Sequence, residues 1–405
     1  MGCLCAVLIS FFLLQCPTGR NMETWMEDTS EESASEEGVW WEEDGIEESA
    51  QEIQVELLQE YDFGELDALL SENWNDKNIS FEQLVWSLMQ GDVPDEGEDW
   101  KGFLYQMFLK ELDANLGILI KLVLLAIITA IFTNLSGSMG KGMIRENGFY
   151  ITYLIMTALL MSSFYLIFQV AVETVEDILQ IMEALIPTYM VAVGFSSGVT
   201  SSVVLQEGMV MGMTSVSWGV EKIVFPIIQL YVVLELVNNL LEEDYFSKLG
   251  ELIKTVVKWL LKSVLAFVVG LNAVKSMLAP VTDSVASTAL QRGFSAIPGG
   301  QAVNAVSGVV IGSGILIKNA IGVGGMLLLV ASVSVPILKM SVFILSYKCM
   351  AAILQPISDK RMIQGIQSIS EGGQMLITSV LTVIVLFLLS IAIVAVSTNV
   401  GYYSG

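Results

Sequence analysis

From Leu116 onward the chain is assembled from apolar runs of bilayer length, and no other feature restricts its fold as much. The runs cover about 116–135, 149–172, 185–206, 223–241, 259–279, 323–347 and 374–397, each near the roughly 20 residues a helix needs to cross hydrocarbon. Within lipid only helices and closed barrels satisfy their backbone groups, and continuous apolar runs rather than alternating ones select helices. The expected fold is therefore all-α: a polytopic helical membrane protein with about six to eight spans. Hydrophobic residues make up 54% of the 405, and mean hydropathy is +0.65, which argues against a soluble enzyme.

The net charge of -24 belongs to one end of the chain. Residues 1–100 hold 26 acids against Arg20 and Lys77 (2 - 26 = -24), so residues 101–405 are balanced. An acidic segment of this kind is repelled by nucleic acid and anionic lipid, and suits a basic protein partner.

Residues 1–19 read as a signal peptide or N-terminal anchor, with the apolar core CLCAVLISFFLLQC ahead of Pro17 and Gly19; cleavage, retention and lipidation at Cys16 all remain open. Residues 20–50 are too charged to bury a core and read as an acidic disordered linker. Residues 51–114 show helical spacing at Ile53, Leu57, Leu58 and Tyr61, and Ser80 with Gln83 forms a capping box before FEQLVWSLMQ. They are expected to make a small acidic extracytoplasmic helical domain, followed by the multi-span region 115–400. Between the fourth and fifth runs, Lys248, Lys254, Lys258 and Lys262 recur beside Leu252, Val256 and Trp259, the pattern of an interfacial amphipathic helix.

Flanking bases set the expected orientation. Lys141 and Arg145 follow the first run, and Lys360 and Arg361 precede the last; Pro356 and Asp359 shape a turn presenting those bases to the cytoplasm. Both loops on one side require an even number of crossings between them, yet five runs intervene. Either 297–317 also crosses, or 185–206, interrupted by Pro187, Gly194 and Gly198, does not; a broken or re-entrant pair is expected, with the C-terminal GYYSG outside.

The stretch Ala302–Gly325 combines membrane-like apolarity with Gly308 and Gly312 at GxxxG spacing, Gly314, and the ion Lys318 beside Asn319. Gly322, Gly324 and Gly325 are expected to break the helix there. Such a segment lines a cavity or seats a neighbouring helix; ordinary close packing with a snorkelling lysine is the plainer reading. Lys121, Glu221, Lys222, Lys262, Lys275 and Lys339 also lie in or near apolar runs, but most sit close to an end. Glu235 is too short to snorkel far and is the leading intramembrane charge.

No catalytic apparatus is legible. Without any histidine the chain has no Ser-His or Cys-His pair and no histidine-ligated metal. Cys3, Cys5, Cys16 and Cys349 have no metal or disulfide spacing, and Gly140-Lys141-Gly142 lacks the rest of a phosphate loop. The chain is expected to be no enzyme and to carry no cofactor or metal.

Three stretches carry a resemblance: FLKELDANLGILIKL entering the first run, GSGILIKNAIGVGG at 312–325, and YKCMAAILQPISDKR at 347–361. In these, and over about 100–400 as a whole, the chain resembles the stage III sporulation protein AE family of endospore-forming bacteria. The resemblance implies a membrane conduit or platform in the assembly joining mother cell and forespore. The implied partners are other stage III membrane and ring proteins and a cytoplasmic ATPase, with a homo-oligomer left open. It also implies the mother-cell-derived membrane, with N-domain and C-terminus facing the intermembrane space. A stand-alone secondary transporter for a small solute, using Glu235 and Lys318 in broken helices, is the competing reading.

Overall fold

The computed structural model describes residues 54–73 (except 56 and 60), 80–91, 109–128 (except 114, 115 and 118), 131, 142–241 (except 198), 245–270 and 300–399. The expected signal segment and acidic linker, the loop at Lys141, Lys275 and GYYSG lie outside them. Among the described residues all regular structure is helical. In chain order it comprises α1 (Gly64–Asn73), α2 (Phe81–Met89), α3 (Leu119–Ile128), α4 (Gly142–Ser197) and α5 (Val199–Gly219). A π-helical turn, Val220–Val224, leads directly into α6 (Phe225–Leu240), and α7 (247–270), α8 (Gly300–Leu354) and α9 (Lys360–Asn399) follow.

The long helices depart from the sequence expectation. Gly322, Gly324 and Gly325 do not break α8, which runs unbroken for 55 residues, about 80 Å. Each helical glycine forfeits about 1 kcal/mol against alanine, and close packing offsets it here. A Cβ on Gly322 would lie 3.1 Å from Tyr189, one on Gly324 3.3 Å from Phe81, and one on Gly325 inside Leu185. The run 185–206, expected to be interrupted, holds the end of α4 and the start of α5. Pro187 stays within α4 because it faces outward, where the carbonyl of Glu183, deprived of its donor, can meet solvent. At Pro226 the missing N–H is accommodated differently: the preceding turn widens, and the Phe225 N–H reaches the Val220 carbonyl.

The helices form one layered bundle. α4 packs along α5, α8 and α9, and α9 also packs on α6. Phe168 of α4 meets Phe225 edge-on at 5.7 Å, the Tyr153 hydroxyl donates to the Leu236 carbonyl at 2.9 Å, and the Ser370 hydroxyl donates to the Ile344 carbonyl at 3.2 Å. These contacts give the bundle two ends. One gathers the start of α4, the end of α6 and the α8–α9 turn; it is called the basic end, after Lys248, Lys348, Lys360 and Arg361. The far end holds Leu185–Tyr189 and Gly322–Gly325.

The N-terminal helices dock toward the far end. Ser80 and Gln83 make the expected capping box, Gln83 N–H to Ser80 Oγ at 3.2 Å and Ser80 N–H to Gln83 Oε1 at 3.4 Å. Asp67 Oδ1 accepts the Phe81 N–H at 2.5 Å, linking α1 to α2. Phe81 and Val85 are fully buried, with Phe81 and Leu84 against Gly324, and the Thr188 hydroxyl donates to the Asp62 carbonyl at 3.3 Å. The lysine-bearing stretch expected as an amphipathic helix feeding the next run forms α7. It is continuous from 247 to 270 and packs lengthwise through Ile253, Val257, Leu261 and Val268.

Among the described residues, three helices, over Gly148–Gly194, Gly312–Leu354 and Lys360–Val396, are long and apolar enough to cross a membrane.

Candidate functional site

Toward the basic end, α6 and α7 bring two polar side chains onto one carboxylate of α9. The Tyr231 hydroxyl donates to Glu371 Oε2 at 2.7 Å, and the Lys254 ammonium pairs with the same oxygen. Lys254 Nζ also stands 5.0 Å from the Tyr231 ring centroid, within cation–π range. Beside them opens a cavity of about 280 Å³, lined by Lys254, Lys258, Glu371, Gln374 and Thr378 above an apolar floor of Val257, Leu261 and Met375.

Local sequence explains the placement. Gln367, Glu371, Gln374 and Thr378 recur at helical spacing, forming a polar stripe on α9 that faces the lysines of α7. Glu371 can occupy it because Gly372 and Gly373 let the opposite face approach its neighbours. A Cβ on Gly372 would enter Val232 and lie 2.9 Å from Phe164, and one on Gly373 would lie 3.1 Å from Ile344. Glu235, one turn from Tyr231, is half-buried and rests its carboxylate where Gly250 leaves room; any larger residue at 250 would collide with it. The arrangement can hold a hydrated polar path or an anionic group between lysines. It contains no nucleophile with a base and, among the described residues, no cluster of metal-ligating side chains.

The residues singled out from sequence fall in three places. Lys318 is fully buried in α8, Asn319 is half-buried, Gly314 and Gly322 are buried, and Gly312 is exposed with open space about its Cβ position. Gly308 lies in the same helix. Gly312, Gly314, Lys318, Asn319 and Gly322 do not line the Lys254 cavity. In the α8–α9 turn Pro356 and Lys360 are exposed, and Asp359 caps α9 by accepting the Arg361 N–H at 3.0 Å. Arg361 folds back, its guanidinium 3.8 Å from the Phe149 ring centroid and its Nε 3.6 Å from Asp359.

Glu371 was not legible as a site because the last apolar run starts at 374, which leaves 360–373 looking like a loop. The signal was present in the polar positions recurring every three or four residues from Gln367 and in the lone acid before two glycines.

Long apolar helices crossed internally by a polar, ion-paired seam define an all-helical protein of the membrane-associated class. The sequence pattern of the family described as Stage III sporulation protein AE matches residues 79–398, so this chain belongs to that family and has a role in sporulation. It is similar to Stage III sporulation protein AE of Bacillus subtilis (strain 168), 25% identical over 341 residues that cover 82% of this chain and 85% of the relative. No solved structure matches the chain.

Proposed function

We propose that the chain is a non-enzymatic membrane subunit, a conduit or platform, of the mother cell–forespore transport assembly required for endospore formation. The observation that carries the reading is the Lys254–Glu371–Tyr231 seam with its cavity, polar groups gathered between long apolar helices. Both side chains of the ion pair are about one-third exposed, so the pair contributes little to stability, and its place in the cavity wall suits a working role. In this reading the basic end faces the mother-cell cytoplasm and a cytoplasmic ATPase, in line with the positive-inside rule. The N-terminal helices then face the intermembrane space and its ring proteins, behind a signal-like leader, in the mother-cell-derived membrane around the forespore.

The test replaces the chromosomal copy by Lys254→Met with Glu371→Leu, an exchange that removes both charges together and so spares the fold the cost of one unpaired ion. The expected result is normal protein level, normal membrane insertion, and loss of forespore-restricted gene expression after engulfment. Normal expression with this variant would refute the seam as a working pathway. Solute flux by the purified chain alone in vesicles would replace the assembly reading with a stand-alone transporter.

A further inference from the structure

The outward-facing residues change character partway along the bundle, on two helices at one level. On α4 the exposed positions from the basic end are Ile151, Leu154, Ile155, Tyr165 and Leu166; beyond Gln169 they become Glu173, Glu176, Asp177, Gln180 and Glu183. On the antiparallel α5–α6 segment of the bundle, Leu241, Val237, Val233, Leu230 and Ile223 face outward, followed by Lys222, half-buried Glu221 and Trp218, and then by a mixed face of Ser215, Thr214, Met211, Val210 and Glu207. The Phe168–Phe225 ring contact fixes the register between these helices, so Gln169–Glu173 and Glu221–Lys222 lie at the same height. Trp218, 58% exposed, occupies the position of an interfacial aromatic.

The apolar band ends at the basic end with the Lys248–Glu251 pair (3.0 Å) and exposed Lys360. From Ile151 to about Gln169 it is close to 30 Å tall, the thickness of bilayer hydrocarbon. It is interrupted on α7 by exposed Thr255 and Lys262 and by Lys258 at the cavity.

We infer that bilayer hydrocarbon covers this band alone, so that the far half of the bundle, including Gly312–Gly325 and Lys318, is a stalk standing in water. Tyr189 and Leu185, which meet Gly322 and Gly325, lie about 20 Å beyond the Glu173 level along α4. At that height the molecule also carries α2, whose Glu82 and Gln83 are exposed. Lys318 is buried in protein and pays no cost against lipid. The apolar composition of α9 there has the same cause, since Val383, Leu386, Phe387, Ile391 and Val394 are inside the bundle. The inference is independent of whether the seam conducts anything, and it places the seam at hydrocarbon depth.

The experiment uses the full chain with Cys3, Cys5, Cys16 and Cys349 changed to serine, and one new cysteine at an exposed site. The sites are Leu154→Cys and Leu230→Cys in the band, and Glu176→Cys, Val191→Cys and Leu316→Cys in the stalk. Opened membranes, accessible from both faces, are treated with a water-soluble maleimide, and extents are referred to denatured protein. Stalk sites are expected to react at least tenfold faster than band sites. Val191 and Leu316 are apolar like the band residues, so their reactivity reports position rather than composition. Protection of both at the Leu154 level would overturn the inference, as would reaction of Leu154→Cys and Leu230→Cys at the Glu176 rate.

Discussion

Where Leu185 meets Gly325, two long helices touch through an aliphatic side chain and a bare backbone, and the nearby polar side chain Lys318 is enclosed in protein. Toward the other end of the same bundle, helices meet through Glu371, Lys254 and Tyr231 around an open cavity. Both regions use glycine to bring backbones together, Gly322–Gly325 in the first and Gly372–Gly373 in the second. The difference lies in what the saved space admits. At the far end it admits another helix, α2; at the basic end it frees one face of α9 for polar groups. Hydropathy scores the first region as the more membrane-like, although its apolar residues are largely turned inward.

The largest expected effect breaks the far-end packing. Phe81 is fully buried against Gly324 and Phe63, so Phe81→Ala removes an aromatic from a site that cannot readily collapse, at about 3–5 kcal/mol. Limited proteolysis of the detergent-solubilised chain should then cut α1 and α2 while α4 to α9 remain protected. If α2 stays protected, the docking seen here is not what holds it.

Gly325→Val comes next. Its side chain would enter the space of Leu185, and overpacking at such a contact costs about 1–3 kcal/mol. A lowered midpoint of thermal unfolding, partly restored by Leu185→Ala, would show that the pair sets the spacing of α4 and α8. Absence of rescue would assign the loss to glycine-specific backbone effects instead.

In the basic-end region, Glu371→Gln keeps the shape but leaves Lys254 without its counter-charge. The side chains are each 31% exposed, so solvent screens part of the loss and about 1–2 kcal/mol is expected. Since the pair is electrostatic, the gap between wild type and variant should narrow as salt rises from low to high concentration, whereas the Gly325→Val deficit should not respond. Equal salt responses would erase the contrast drawn between the two regions.

Much of this architecture could be read from residues, and the failures share one physical origin. Helix type, the capping box at Ser80 and the recurrence of lysines along α7 follow from local periodicity, which sequence carries directly. Continuity of α8 through three glycines does not, because the compensation comes from Tyr189, Phe81 and Leu185, all distant in sequence. The same holds for Pro187, tolerated because of the face it occupies. Glu371 was obscured because an apolar window averages out a polar stripe recurring every three or four residues. Length and composition also cannot separate a helix buried in protein from one buried in lipid, and that distinction decides where the spans begin.

The smallest effect sharpens the comparison at the far end. Ser80→Ala removes the side-chain acceptor of the Gln83 N–H and half of a reciprocal cap, a change worth about 1 kcal/mol. Asp67 continues to accept the Phe81 N–H, so the first turn of α2 keeps one of its two tethers. The cap lies outside the bundle core, so hydrogen exchange should speed up several-fold in α2 alone, leaving α4 and α9 unchanged. If exchange in α4 near Tyr189 accelerates in step, α2 is an integral layer of the stalk whose loss loosens the helices beneath it. Confinement to α2 would make it a detachable cover over Gly324, held by Phe81 and two hydrogen-bonded caps.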